Sequence, residues 1–163
     1  MPFNLMKKYN SLLEIDAMNE RERKLSLSRI FKRDFINHTN QFRNKNVHPT
    51  SQEGMDTMEI LFNHLTTKTE NEEKHREFDR ERSIRIHWIK HHLSEKTPEA
   101  ITVFSVNDKH SVRTYIYDRD ESYVIILEPK KNDFYYLLTA YYIEGNNKKK
   151  IENKIKRKLP EIY

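Results

Sequence analysis

Phe134-Tyr135-Tyr136-Leu137-Leu138-Thr139-Ala140-Tyr141-Tyr142, closed by Gly145-Asn146-Asn147, reads as a strand, and that reading decides the fold. Upstream of it, Tyr123-Val124-Ile125-Ile126-Leu127 is apolar on both faces, as a central strand is, and the polar stretch from Pro129 to Asp133 turns the chain back. Val112 to Tyr117 and Ile101 to Val106 add two more strands, with short polar turns between them. A parallel crossover takes a dozen residues or more, so connections this short predict an antiparallel meander. Beyond Gly145, the residues Ile151, Ile155 and Leu159 fall at i, i+4 and i+8 among Lys148, Lys149, Lys150, Lys154, Lys156, Arg157 and Lys158. That spacing predicts a basic helix docked by one thin apolar stripe.

Before Pro98 the period is helical. Leu5, Met6, Tyr9, Leu12 and Leu13 share one stripe, continued by Leu25, Leu27, Ile30, Phe31, Phe35 and Ile36. Residues 38–54 are polar and hold Pro49 and Gly54, which predicts a loop, with room for a short strand, and a module boundary. A short helix follows over 55–65, then a longer one over 70–93 with Phe78, Ile86, Ile89 and Leu93 in one arc. The expected class is therefore α+β: N-terminal helices, a long helix, a four-stranded antiparallel sheet and a C-terminal basic helix. Residues 1–55 form a helical extension in this reading and residues 56–163 the main domain.

Composition narrows the function. Thirty Lys and Arg against 25 Asp and Glu give a net charge of +5, concentrated in the tail, which favours a polyanionic partner. Cysteine is absent, so disulfides and thiolate metal sites are excluded and a reducing compartment is the default. The N-terminal stretch mixes Lys7, Lys8, Glu14 and Asp16 with its apolar residues, unlike a signal peptide, and no apolar run is long enough to span a bilayer; the expected location is the cytoplasm. With two glycines in the chain, a phosphate-cradling Gly-rich loop is excluded. His87 and His91 stand at i, i+4, but Trp88 fills the place where a zinc-protease helix needs Glu, and no third ligand is evident, so no metal or other cofactor is expected.

Alternation sorts the second strand into Val112, Thr114 and Ile116 on one face and Arg113, Tyr115 and Tyr117 on the other. In the last strand both faces are aromatic, so alternation alone does not orient it. If Thr139 and Tyr141 join the Arg113 face, a guanidinium, phenols and a hydroxyl share one surface, suited to phosphate binding and base stacking. In the preceding segment Arg82 lies inside the apolar arc and Arg85 borders it, where a cation needs a partner or a cleft.

The segments Arg82-Ser83-Ile84-Arg85-Ile86-His87-Trp88-Ile89-Lys90, Arg113 to Tyr117, Tyr123 to Glu128 and Tyr135 to Tyr142 resemble, in order and spacing, the phage and mobile-element branch of the Barnase, EndoU, nuclease-colicin and RelE-like (BECR) superfamily. The resemblance runs from about residue 72 to the end. It implies metal-independent RNA cleavage, often by a toxin held in check by an antitoxin or immunity protein. By position Arg82, Arg85 and His87 match the helix motif, and Thr139 and Tyr141 the last strand. On this reading His87 transfers protons, Arg85 and Arg113 bind phosphate, Thr139 or Tyr141 positions it, and Tyr115, Tyr117 and the seven basic tail residues hold RNA. Two alternatives stand beside it: a nucleic-acid-binding module that does not cut, and an interaction component of a mobile element.

Overall fold

The computed structural model describes residues 3–50, 54, 56–69 and 75–163. A 3-10 turn, Phe3–Met6, leads through an irregular segment to α1 (Glu20–Phe31), opened by a capping box in which Asn19 and Glu22 satisfy each other's backbone N–H groups. A π-helical turn, Lys32–Ile36, follows. The chain continues through β1 (Asn40–Phe42), β2 (Lys45–Pro49), α2 (Thr57–Thr66), β3 (Thr67–Thr69), β4 (Arg76–Phe78), α3 (Arg80–Ser83) and α4 (Trp88–Leu93). It ends with β5 (Ile101–Asp108), β6 (Ser111–Asp118), β7 (Tyr123–Lys130), β8 (Phe134–Tyr142) and α5 (Asn147–Lys156).

The sheet corrects the four-stranded expectation. β5 to β8 form an antiparallel meander, but the sheet has six strands in the order β1-β2-β8-β7-β6-β5, and β2 runs parallel to β8. β3 and β4 make a separate two-stranded sheet. Residues 40–49, inside the segment read as a helical extension, thus supply two strands to the main sheet, and Leu13, Ile15, Leu27, Ile30 and Phe42 join its core. A pairing between residues so distant in sequence leaves no local signature.

The long helix over 70–93 is also corrected; residues 70–74 lie outside the described residues. Arg76–Phe78 is strand, and Asp79 then caps a single new helical turn by accepting the N–H of Arg82. A turn separates that from α4. Ser83 to Ile89 are all buried, whereas a surface helix buries one stripe, so this stretch is a wall running through the interior.

Two apolar cores flank the sheet. The larger holds Ile116, Ile125, Leu127, Tyr135 and Leu137 beneath residues of α1, α2 and α4. The smaller gathers Phe104, Val106, Tyr115, Tyr117, Val124 and Ile126 under α5, which inserts Ile151 and Ile155. Burying Ile151 contributes about 1.5–3 kcal/mol, enough to dock a helix that is otherwise mostly charged. A β-bulge decides what β8 offers to each core. Ile126 pairs with Thr139 but Leu127 pairs with Leu137, leaving Leu138 as the extra residue. Simple alternation groups Tyr135, Leu137, Thr139 and Tyr141; the bulge parts them, sending Tyr135 and Leu137 to the larger core and Leu138 and Tyr141 to the smaller.

Candidate functional site

β2 pairs with β8 only as far as Leu137. Past that point this edge of β8 has no strand beside it among the described residues, and α2 and α3 take its place. His64, near the end of α2, donates from Nδ1 to the carbonyl of Leu138 at 3.3 Å. Arg82 of α3 donates from Nη1 to the carbonyls of His64 at 2.8 Å and Thr67 at 3.0 Å, and to Thr139 Oγ1 at 3.2 Å. Its Nε lies 3.4 Å from Asp79, the residue that caps α3. Local capping therefore aims this guanidinium, and the bulged strand presents the hydroxyl that receives it. The ring of Tyr141 stands 5.4 Å from the guanidinium carbon, in cation–π range.

Arg82 and Tyr141 border a cleft of about 450 Å³ between α3 and α5, with His64 and Thr139 held behind the Arg82 guanidinium and off the cleft lining. Arg82, Tyr141, Lys68, Lys150 and Lys154 line it together with Asp79, Glu81 and Glu144. Lys154 also bonds Asp108 at 3.0 Å, which fixes the pose of α5. Burial pushes the Tyr141 phenol up, so it is a proton donor at neutral pH. Burial, with Arg76 and Arg82 nearby, pulls the His64 imidazole below its usual value, so it is neutral there. With Nδ1–H committed to Leu138, its Nε2 carries the lone pair and has no hydrogen-bond partner among the described residues.

The other residues singled out from the sequence are dispersed. Arg85 is buried behind the cleft, bonded through Nη1 to Glu81 at 2.7 and 2.9 Å and lying 4.1 Å over the Tyr142 ring, so it braces the wall. Arg113 precedes Tyr115 on β6, and the register Tyr115–Ile126–Thr139 sets that strand two away from Thr139. Tyr115 and Tyr117 do not fit base stacking: they are 2% and 0% exposed beneath α5, their hydroxyls turned to Asp108 and Glu152. Of the tail residues, Lys150 and Lys154 face the cleft, Lys148 is half-buried, and Lys149, Lys156, Arg157 and Lys158 are exposed.

His87 departs most from the expectation. It is 6% exposed, with Nε2 within 2.9 Å of the Ser11 carbonyl and 3.2 Å of that of Lys8. Burial drives its pKa down to about 4. It borders a different cleft, beside Lys8, Tyr9, Lys90, His91 and Lys96, and does not meet Arg82 or Thr139. Among the described residues no three His, Asp or Glu side chains cluster as a metal site.

His64 and Lys68 escaped the sequence reading. A polar imidazole between Phe62 and Leu65 in an apolar helix was the signal available for the first. No family model, curated protein or solved structure matches the chain. No helix among the described residues is long and apolar enough to cross a membrane.

Proposed function

We propose that the protein is a metal-independent endoribonuclease that cuts at the cleft between α3 and α5. The observation that supports this most is the Arg82–Thr139 contact beneath Tyr141, facing Lys150 and Lys154 across open space. In this reading His64, placed behind the cleft by the bond from Arg82 to its carbonyl, takes the proton of a ribose 2'-OH on Nε2 as the strand seats against Arg82, and that oxygen attacks the adjacent phosphorus. Arg82 and the two lysines stabilise the crowded dianionic centre. The Tyr141 phenol protonates the departing 5'-oxygen, leaving a 2',3'-cyclic phosphate. Thr139 holds Arg82 in position. The proton-transfer role expected of His87 passes to His64, since His87 lies in the other cleft. The resemblance to the RelE-like superfamily adds a setting: a cytoplasmic toxin restrained by a protein partner, in keeping with a chain free of cysteine.

Incubation with single-stranded RNA in EDTA tests this. The expected products end in 2',3'-cyclic phosphate, and the rate falls at acid pH, on the acid side of the ordinary imidazole range, as His64 gains its proton, a limb that His64→Ala abolishes along with most activity. Intact RNA at every pH, with binding retained, would instead make the protein a non-cutting binder.

A further inference from the structure

The second cleft, of about 460 Å³, lies where the N-terminal segment crosses α4. Five cations line it, Lys7, Lys8, Arg33, Lys90 and Lys96, against one carboxylate, Asp34. That carboxylate is already neutralised, because Arg33 grips it through Nε at 2.6 Å and through Nη2 at 3.1 Å. Lys7 pairs with Glu14 at 2.8 Å. Lys8, Lys90 and Lys96 form no ion pair among the described residues, so three ammonium groups converge on one concavity without local compensation.

Its floor is rigid. The Tyr9 ring stacks on His91 with centroids 4.0 Å apart and packs edge-on against Trp88 and His92. The Tyr9 hydroxyl donates to the buried carboxylate of Asp118, and His92 Nε2 stands 3.2 Å from the same oxygen without the alignment of a hydrogen bond. His91 reaches Thr97 through Nε2 at 3.0 Å. A fixed aromatic and imidazole floor under long, flexible lysine side chains suits a flexible polyanion, whose phosphates find charge at the rim.

We infer that this cleft is a second RNA-binding site, one that grips the phosphates of a single strand flanking the segment held between α3 and α5. The inference rests on RNA being the ligand of the first cleft. Bivalent contact raises apparent affinity because the second engagement is intramolecular. It also gives the fold a use for the N-terminal segment, which carries Lys7 and Lys8 to the rim and Tyr9 to the floor.

The test is fluorescence anisotropy of a labelled, fully 2'-O-methylated single strand, which has no 2'-OH to react, titrated at several salt concentrations. The triple variant Lys8→Ala, Lys90→Ala, Lys96→Ala should bind about tenfold or more weakly at moderate salt and lose about two units from the slope of log affinity against log salt. The triple Lys→Arg variant, which keeps the charge, should restore both. His91 and Tyr9 ring NMR signals should move on adding the strand to the parental protein and hold still in the alanine variant. Equal affinity and slope for parental and alanine proteins, or unmoved Tyr9 and His91 signals at saturation, would overturn the inference. If the strand effect is present but cleavable RNA stays intact, the ribonuclease reading fails and this one stands. Cleavage of RNA with an unchanged salt slope does the opposite: the second site is lost and the ribonuclease reading stands.

Discussion

The two clefts hold similar volumes and opposite electrostatic designs. Between α3 and α5, four cations face three carboxylates, and the central guanidinium is pinned by three carbonyl or hydroxyl oxygens. Beside α4, five cations face one carboxylate, and three lysines have no ion-pair partner among the described residues. Fixed direction suits stabilising charge at one point, the demand of a transition state. Loose net charge suits holding a chain of phosphates whose positions vary. The contrast teaches that two clefts lined by similar numbers of cations differ in whether that charge is fixed in direction.

Trp88 lies buried under the second cleft, 1% exposed and in edge contact with Tyr9 and His87 of that cleft and with Tyr123. Removing so large a core side chain in Trp88→Ala should have the largest effect on the fold that carries both clefts, costing about 3–5 kcal/mol in denaturant unfolding. On the reactive side, Arg82→Ala should lower kcat/KM for RNA by about 10²- to 10³-fold. Because Arg82 also ties α2 to α3, Tyr141→Phe sharpens the point: about 10²-fold loss of rate with an unchanged melting temperature. A parental rate in Tyr141→Phe removes the phenol from the reaction.

His87 separates the clefts by pH. Its pKa near 4 in the folded chain lies below the unfolded value of 6.5, so between these the unfolded chain binds the extra proton. Its contribution is fully present above pH 6.5 and is lost as pH falls through 4, about 3 kcal/mol in all. Urea midpoints should fall over that window in the parental protein and stay flatter in His87→Gln. The smallest effect belongs to the outer face of α5, where Lys149→Ala should reduce the salt slope of RNA binding by about 0.7 and leave stability alone.

Much of the C-terminal half was legible. β5 to β8 follow from short polar turns and β-rich runs, and α5 from the spacing of Ile151 and Ile155, because those signals are local. The parallel partner β2 was not legible, since its register with β8 is set by contacts formed only when the chain closes on itself. Nor was the break at Asp79, where one capping side chain outweighs a plausible helical arc. The site divides in the same way. Arg82 stood out as a cation on an apolar face, and Thr139 as part of the last strand. His64 was hidden in a helix whose pattern spoke only of packing, and the bulge at Leu138, which decides what surrounds Thr139 and Tyr141, has no trace in alternation.

The parallel junction of β2 with β8 has a bearing on synthesis. Asn46 lies opposite Phe134, so the parallel ladder stays open while most of the chain is translated, and loop closure over that span slows its completion. His64 and Arg82 leave the ribosome well before Thr139, Tyr141 and Lys150 can join them. A nascent chain therefore carries the parts of the cleft without its geometry until the last strand and helix have emerged.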